Sequence, residues 1–272
     1  MLKDITLGQF LPGNSVIHRM DPRTKLIITM LYIICIFFIN TLLTYLLLAV
    51  FVGWVLFVSK IPLKMIIKSI KPIFIFVLFT AVLNIFMTDG RVVFQFWFLT
   101  ATDKGLYTAL IMSLRLIFLV AETSVLTYTT SPIVLTDGLE QLMSPLSRFG
   151  FPSHELAMMM TIALRFIPTI IEETDKIMKA QSARGAAFDT GNIFQKAKAM
   201  IPVLVPLFIS AFRRADELAL AMECRGYHGG ENRTKLHKLS MGRLDMAAFC
   251  ISLLIMTLII ALNVTPLQTY LF

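Results

Sequence analysis

Two arginines, each followed by glycine, stand at the ends of two long stretches of predicted helix. One stretch ends in Ala183-Arg184-Gly185 and the other in Cys224-Arg225-Gly226. Glycine commonly closes a helix, and the arginine guanidinium is a rigid planar fork that pairs with carboxylates. Each arginine therefore either neutralises the carbonyl groups at its own helix end or projects beyond the helix to bind a site on a partner protein. Because the triplet occurs twice, in a segment that the charge pattern below places in the cytoplasm, we favour docking.

The two helix ends also correspond upstream when they are aligned on their terminal arginines. Two acidic residues of the first helix then match two basic residues of the second, namely Glu172 and Glu173 against Arg213 and Arg214. If the helices cross, we expect these opposite charges to pair between them. The duplication alone is weak evidence, because helix ends often read as a basic residue followed by glycine.

The residue patterns of the common catalytic and metal sites are absent from the sequence. It has no P-loop pattern G-x-x-x-x-G-K-[ST], no H-E-x-x-H and no G-x-S-x-G. The four histidines lack the spacing of metal ligands, and Cys35, Cys224 and Cys250 form no close pair that would suggest a disulfide framework. We therefore predict no catalytic, cofactor or metal site, and the chain is not expected to be an enzyme.

Composition predicts an integral membrane protein. Of 272 residues, 57% are hydrophobic and 15% charged, with a mean hydropathy of +0.76, whereas a soluble domain carries about 25% charged residues. The net charge of +8 is more typical of cytoplasmic loops than of a nucleic-acid surface, since no compact basic module is present. The first 24 residues lack the apolar core of a cleaved signal peptide, so we expect the first apolar run to remain as a span.

The apolar runs predict an all-α fold with about five transmembrane helices. A helix needs about 20 apolar residues to cross a bilayer. Residues 26–58 are too long for one span and predict a hairpin that turns near Asn40-Thr41; further runs cover residues 72–87, 106–128 and 246–262. We accordingly divide the chain into four spans in residues 1–129, a cytoplasmic region of one short and two long crossed helices in 130–241, and a final span in 242–272.

Lysine and arginine decide the expected orientation. They are frequent in the amino-terminal segment, in the loop after the second span and in residues 130–241. The loop after the third span carries only Arg91 and Lys104, and the tail after Leu262 carries none. We therefore place the amino terminus and the middle region in the cytoplasm and the carboxyl terminus outside. The lysines and arginines on which this orientation rests include Lys3 in the amino-terminal segment and Arg233, Lys235 and Lys238 in residues 130–241.

Two charged residues, Arg115 and Glu122, fall inside the predicted fourth span. Charges at membrane depth are costly and usually face protein or water. Seven residues separate the two, which is about 10 Å of helical rise, so they share a face without pairing. We expect each to have a structural partner or to lie near an interface; a role in a transport pathway is the alternative.

Three helices are predicted in the middle region. A short one covers residues 136–148, and the two long ones cover 153–184 and 192–225, each beginning at a good N-cap residue, Ser153 or Asn192. Each long helix is apolar in its first half and charged in its second. Internal prolines are expected to kink or interrupt them, at Pro168 in the first and at Pro202 and Pro206 in the second.

Four stretches of this sequence resemble the transmembrane T component, or EcfT family, of energy-coupling factor transporters. They are residues 8–25 with Asp21-Pro22-Arg23-Thr24-Lys25, Ala163-Leu164-Arg165-Phe166-Ile167-Pro168, residues 180–185, and residues 215–227. The resemblance covers nearly the whole chain. In that family the T component joins two cytoplasmic ABC-type ATPases, which bind ATP and Mg, to a small substrate-binding membrane S component. The complex imports vitamins or transition-metal ions.

The resemblance also implies roles for particular residues. The family's X-Arg-X signatures end two coupling helices and dock in grooves of the two ATPases, and here they correspond to residues 183–185 and 224–226. Cys224 stands where the family most often has alanine, which is similarly small. The Asp-Pro-Arg-Thr-Lys stretch is expected to be structural, fixing the start of the first span.

Two other classes of function were weighed against a coupling subunit. A secondary transporter predicts liganding polar groups at mid-membrane and often inverted repeats, and neither is evident. A membrane enzyme is opposed by the missing catalytic patterns.

Overall fold

The structure is a computed structural model that describes residues 10–96, 99–186, 188, 192–229 and 239–264. These residues fall into two compact units. The span unit comprises residues 10–139 and 239–264, and the paired-helix unit comprises residues 140–229; each is described by itself. Some residues used for the sequence-based predictions lie outside the described residues, namely Lys3, Arg233, Lys235 and Lys238. The start of the segment 8–25 and the tail after residue 264 also lie outside them.

Helices dominate the described residues, as the all-α prediction requires. The order is α1 (Val16–Arg19), α2 (Pro22–Phe38), α3 (Leu42–Ser59), α4 (Leu63–Ile70), α5 (Phe74–Met87), α6 (Asp103–Thr129), α7 (Pro132–Met143), α8 (Ser153–Ala183), α9 (Ile193–Cys224) and α10 (Arg243–Val264). Short 3₁₀ turns follow α4 at Lys71–Ile73 and α7 at Ser144–Phe149. The predicted hairpin turn near Asn40-Thr41 is confirmed, because α2 ends at Phe38 and α3 begins at Leu42.

Three local features differ from the sequence-based expectation. The lysine-bearing loop predicted after the second span is largely helical, as α4. A two-stranded antiparallel hairpin, β1 (Val92–Phe96) and β2 (Leu99–Thr102), connects α5 to α6. The predicted short helix at 136–148 begins earlier, at Pro132, and continues as the 3₁₀ turn.

Six helical segments in the described part of the chain are long and apolar enough to cross a membrane. They are α3, the α4–α5 segment, α6, α8, α9 and α10; α2, with 17 residues, is just shorter than such a segment. The expectation of about five spans counted α2 but not α8 or α9. The first halves of α8 and α9 are apolar enough to qualify by length and composition.

The start of α2 shows why the Asp-Pro-Arg-Thr-Lys stretch is structural. Asp21 is the N-cap and accepts a hydrogen bond from the Arg23 backbone N–H at 2.9 Å, while Pro22 occupies the first turn, where no backbone donor is needed. The Arg23 side chain pairs with the same carboxylate at 2.9 Å and donates to the Leu239 carbonyl. Asp245 accepts from the buried Asp21 N–H at 2.7 Å, so α2 and α10 are tied together where both begin.

Lys25 and Arg115 satisfy backbone carbonyls at other helix ends. The buried Lys25 ammonium donates to the carbonyl of Thr129, where α6 ends, at 3.1 Å. The Arg115 guanidinium donates to the Ile39 carbonyl at 2.9 Å and to the Tyr45 hydroxyl at 3.2 Å. The structural partner expected for Arg115 is therefore confirmed, and Arg115 satisfies a carbonyl group at the end of α2.

The apolar core of the span unit is built by α2, α3 and α6, with α10 against α2 and α3. Tyr32, Ile36, Tyr45 and Leu48 are fully buried or nearly so. Tyr32 remains satisfied because its hydroxyl donates to the Phe118 carbonyl at 3.2 Å. This packing fixes α6 beside α2 and α3.

We expect Asp245→Ala to lower the thermal stability of the purified full-length chain. The substitution leaves the buried Asp21 N–H without its acceptor, which should cost about 1–3 kcal/mol. The measurement is a thermal unfolding curve in detergent. Asp89→Ala removes an exposed carboxylate from the same unit and is the matched control; equal midpoints for the two variants would contradict the role of Asp245.

The pH dependence of stability should report Asp21. The hydrogen bond from the Arg23 side chain holds the pKa of this carboxyl below its ordinary 3.8. A depressed folded-state pKa means that ionised Asp21 stabilises the fold above that value, and that this contribution is lost as the pH falls through the folded-state pKa. The stability difference between wild type and Asp21→Asn should therefore be constant above about pH 5 and shrink below about pH 4. A difference that stays constant to about pH 3 would count against this role.

Candidate functional site

The candidate site is built from α8 and α9, the long helices of the paired-helix unit. Asn192 and Gln195 form a capping box at the start of α9, and α8 begins at Ser153, just after Pro152. The predicted N-cap at Ser153 therefore lies one residue too late, since Pro152 is the capping position. Both helices continue through their internal prolines.

The two arginine triplets adopt the same backbone structure. Gly185 and Gly226 have positive φ angles of 91° and 70°, the left-handed region that glycine enters without strain. In α8, the N–H of Gly185 donates to the Ser182 carbonyl at 3.0 Å, and that of Ala186 to Gln181 at 3.0 Å. The corresponding bonds follow Cys224, from Gly226 to Glu223 at 2.9 Å and from Tyr227 to Met222 at 3.0 Å. Both helices therefore end in a Schellman motif.

Arg184 and Arg225 occupy the last position of their helices, with nearly identical backbone angles (φ −86°, ψ 5° and φ −91°, ψ 9°). Both residues are exposed, as are the flanking residues of each triplet, namely Ala183, Gly185, Cys224 and Gly226. Among the described residues, neither guanidinium makes a hydrogen bond or an ion pair. Each helix end therefore exposes a planar guanidinium group that has no partner among the described residues.

The contacts between α8 and α9 show that the helices run in opposite directions where they meet. Glu173 of α8 accepts hydrogen bonds from Ser210 and, at 2.7 Å, from Arg214 of α9. Eight residues further along α8, Gln181 donates to the carbonyl of Pro202 at 3.4 Å, which is eight residues earlier along α9 than Ser210. Partners that advance along one helix as they recede along the other define an antiparallel pair.

The Gln181 contact compensates for a proline. Pro206 has no N–H, so the Pro202 carbonyl four residues before it lacks its helical hydrogen-bond donor. Gln181 of the neighbouring helix supplies a donor. Neither Ser210 nor Gln181 was identified from the sequence. For Gln181, the spacing of Pro202 and Pro206 is the signal that could have predicted a carbonyl in need of an outside donor.

Of the four residues proposed to pair between the helices, the structure brings two together. Glu173 and Arg214 form an ion pair and are both half-buried. Glu172 and Arg213 are exposed and make no contact of this kind among the described residues. The helical period explains the difference, because adjacent residues on a helix point about 100° apart and only one of each couple can face the partner.

The described residues contain no cluster of three or more His, Cys, Asp or Glu that could hold a metal ion. The three cysteines are free thiols, with Cys35 buried and Cys224 and Cys250 exposed. The features available to this site are therefore exposed charges, an inter-helix ion pair and a large apolar surface. On α9 that surface includes Phe208, Ile209 and Phe212, which are 59%, 62% and 68% exposed.

Comparison with known proteins gives a consistent result. Residues 13–236 match the family model of CbiQ, described as a cobalt transport protein. The chain is 55% identical over 258 residues to the energy-coupling factor transporter transmembrane protein EcfT of Clostridium kluyveri, covering 94% of this chain and 96% of the relative. It is 53% identical to the protein of that name from Ruminiclostridium cellulolyticum, covering 97% and 98%, and 50% identical to that from Bacillus subtilis, covering 88% and 91%.

The ion pair between α8 and α9 predicts a charge-swap result. Glu173→Arg and Arg214→Glu should each lower thermal stability, and the double variant should recover most of the loss, with a coupling energy of about 0.5–2 kcal/mol. Recovery should be incomplete because Ser210 also donates to Glu173. The same exchange at Glu172 and Arg213 is the matched control and should show no coupling. Equal coupling in the two cycles would refute a specific contact.

Proposed function

The chain belongs to the EcfT family of energy-coupling factor transporter transmembrane proteins, and from that membership we propose that it is the non-catalytic coupling subunit of an ATP-driven importer. In this proposal two cytoplasmic ABC-type ATPases, a heterodimer, bind ATP and Mg²⁺. A small membrane S component, dedicated or exchanged, binds the vitamin or metal ion that is taken up. The observation that carries the proposal is the pair of exposed arginines that have no partner among the described residues and stand at helix ends of nearly identical geometry.

Each arginine tip docks on one ATPase in the proposed complex. Ala183, Arg184 and Gly185 insert into one ATPase, and Cys224, Arg225 and Gly226 into the other. The flanking residues are small, so they let the helix end approach a groove closely, while the guanidinium fork pairs with carboxylates inside it. Because backbone N–H groups, and not the arginine side chains, pair with carbonyls at each helix end, the side chains are available for this contact.

The antiparallel arrangement supports two separate docking sites. Arg184 lies eleven residues beyond Glu173, and Arg225 lies fifteen residues beyond Ser210 in the opposite direction. The two tips are therefore separated by roughly 40 Å of helix. That distance suits two partner subunits better than one pocket.

The same arrangement bears on how the helices lie in the proposed complex. If α8 and α9 crossed the bilayer as an antiparallel pair, their arginine tips would emerge on opposite sides, and only one could reach a cytoplasmic ATPase. We therefore place the pair along the cytoplasmic membrane surface. The proposal keeps the amino terminus of the chain in the cytoplasm and its carboxyl terminus outside. In this placement the apolar first halves of the two helices contact the membrane or the S component.

Coupling in this proposal is mechanical. ATP binding closes the two ATPases and displaces the docked tips, and the helix pair carries the displacement to the S component. The ion pair between Glu173 and Arg214 ties the helices together, so that force on one tip reaches both. Such coupling requires contacts that differ between the two states of the ATPases.

The proposal predicts a specific loss when the tips are truncated. Arg184→Ala or Arg225→Ala, expressed with the ATPases and an S component, should each weaken ATPase copurification and reduce substrate uptake while leaving membrane insertion unchanged. Removing a charged anchor at a protein interface costs about 2–5 kcal/mol. Lysine at either position should restore only part of the function, because it keeps the charge but loses the planar fork.

Arg213→Ala is the matched control, since Arg213 is an exposed arginine of α9 away from the tip. It should bind both ATPases and support uptake as the wild type does. Normal ATPase binding and uptake by the double variant Arg184→Ala/Arg225→Ala would eliminate the docking proposal.

A further inference from the structure

The span unit contains a cavity of about 110 Å³ that the proposed coupling function does not use. It lies among α1, α2, α3, α6 and α10, at the end of the unit where α2 begins and α3 and α6 end. Most of its lining is apolar and includes Phe51, Val125 and Trp54. Trp54 is 50% exposed and Val16, which also lines the cavity, is 48% exposed, so this side of the lining reaches the surface of the unit.

Three polar side chains line this apolar cavity without hydrogen-bond partners. Glu122 of α6 is 5% exposed, and its Oε2 atom is buried with no partner among the described residues. Thr29 of α2 and Ser252 of α10 are 6% and 8% exposed, and their hydroxyls make no hydrogen bond in the described part of the chain. Buried polar groups are nearly always hydrogen-bonded, so the buried Glu122 oxygen, with two unbonded hydroxyl groups in the same cavity lining, indicates a polar occupant. The structural partner expected for Glu122 is not found among the described residues.

The lysine in the cavity lining does not fill this role. Lys25 also lines the cavity, but its three ammonium donors are directed elsewhere. They reach the carbonyl of His18 at 3.4 Å, the carbonyl of Thr129 at 3.1 Å and the hydroxyl of Thr130 at 3.1 Å. No ion pair between Lys25 and Glu122 is present in the structure, so the carboxyl group remains available to a ligand.

We propose that this cavity binds the hydroxyl end of an alcohol with an apolar chain, held by Glu122 with Thr29 and Ser252. A hydroxyl both donates and accepts. It can therefore bond to Glu122 whether that carboxyl is ionised or protonated, and it can accept from either neighbouring hydroxyl at the same time. A pure hydrocarbon would leave all three groups unsatisfied, and an ammonium would offer no acceptor.

The size of the cavity limits which part of the ligand it encloses. An apolar cavity of about 150 Å³ holds one benzene molecule, so this smaller space takes the hydroxyl and only the first few carbons of the chain. The remaining chain leaves past Trp54. Both a free medium-chain alcohol and a membrane glycerolipid with a free hydroxyl, such as diacylglycerol, present this chemistry.

Photolabelling of the full-length chain tests the proposal. The chain is placed in nanodiscs of phosphatidylcholine, which has no hydroxyl, and irradiated with an octanol analogue that carries a diazirine on its chain. We expect adducts on the peptides that contain Trp54 and Val125. Excess octanol or dioleoylglycerol should remove them, and whichever competes at the lower membrane concentration identifies the source of the ligand. Octane at the same membrane concentration should leave them in place.

Variants connect the labelling to the three polar groups. Glu122→Leu should reduce the adducts about fivefold to tenfold, the effect of losing one buried hydrogen bond. Glu122→Gln, whose amide also donates and accepts, should retain most of them. Ser252→Phe, which fills the cavity, should abolish them. Thr127→Val, which removes an exposed hydroxyl from the same helix, is the matched control and should label as the wild type does.

Several results would overturn the proposal. Equal competition by octane would show a purely apolar cavity, and stronger competition by octylamine would show an amine site. Unchanged labelling of Glu122→Leu or of Ser252→Phe would place the adducts outside the cavity. If Glu122→Leu fails to fold, loss of labelling in a well-folded Glu122→Gln overturns it equally. None of these results depends on whether the arginine tips dock on ATPases.

Discussion

Every helix end leaves backbone donors or acceptors unpaired, and in an apolar chain few waters are available to satisfy them. This constraint governs much of the structure. Asp21 satisfies donors at the start of α2, and Arg115 satisfies the Ile39 carbonyl at its end. Lys25 reaches the end of α6, and Gln181 supplies the donor that Pro206 removes from α9. Of the two charged residues predicted inside a span, Arg115 therefore serves the backbone, as Asp21, Lys25 and Gln181 do elsewhere, whereas Glu122 does not.

The two arginine triplets are informative because backbone N–H groups, and not the arginine side chains, pair with carbonyls at the ends of α8 and α9. In each Schellman motif the N–H groups of the glycine and of the residue after it pair with two of the last four carbonyls of the helix. Neither arginine guanidinium pairs with a carbonyl in the described part of the chain, so hydrogen bonding at the helix end does not account for Arg184 or Arg225. What remains is the weak interaction of an exposed charge with the helix dipole, which would not require arginine in particular. The lack of a strong local interaction favours a role for the guanidinium groups outside their own helices.

Sequence reasoning predicted the parts of the structure that depend on local patterns. Apolar runs located α2, α3, α5, α6 and α10, and the two glycines located the ends of α8 and α9, because hydrophobic periodicity and capping are encoded within a few neighbouring residues. It could not choose between Glu172 and Glu173, or between Arg213 and Arg214, because the choice depends on which face of each helix meets the other. It also missed Asp245 and Ser210, whose partners lie 224 and 37 residues away in sequence. The β1–β2 hairpin was overlooked because its alternating residues adjoin a longer apolar helix.

The position of the Glu173–Arg214 pair along the helices has a mechanical consequence. It lies between the two tips, eleven residues from Arg184 and eleven from Arg225. A second contact lies eight residues further along α8, where Gln181 donates to the Pro202 carbonyl of α9. The two contacts are therefore about 12 Å apart along α8. Two contacts at that spacing fix the antiparallel register and oppose rotation of the helices about either one. In the proposed complex the pair would therefore move largely as one body when one tip is displaced, whereas two unconnected helices would carry no force from one tip to the other.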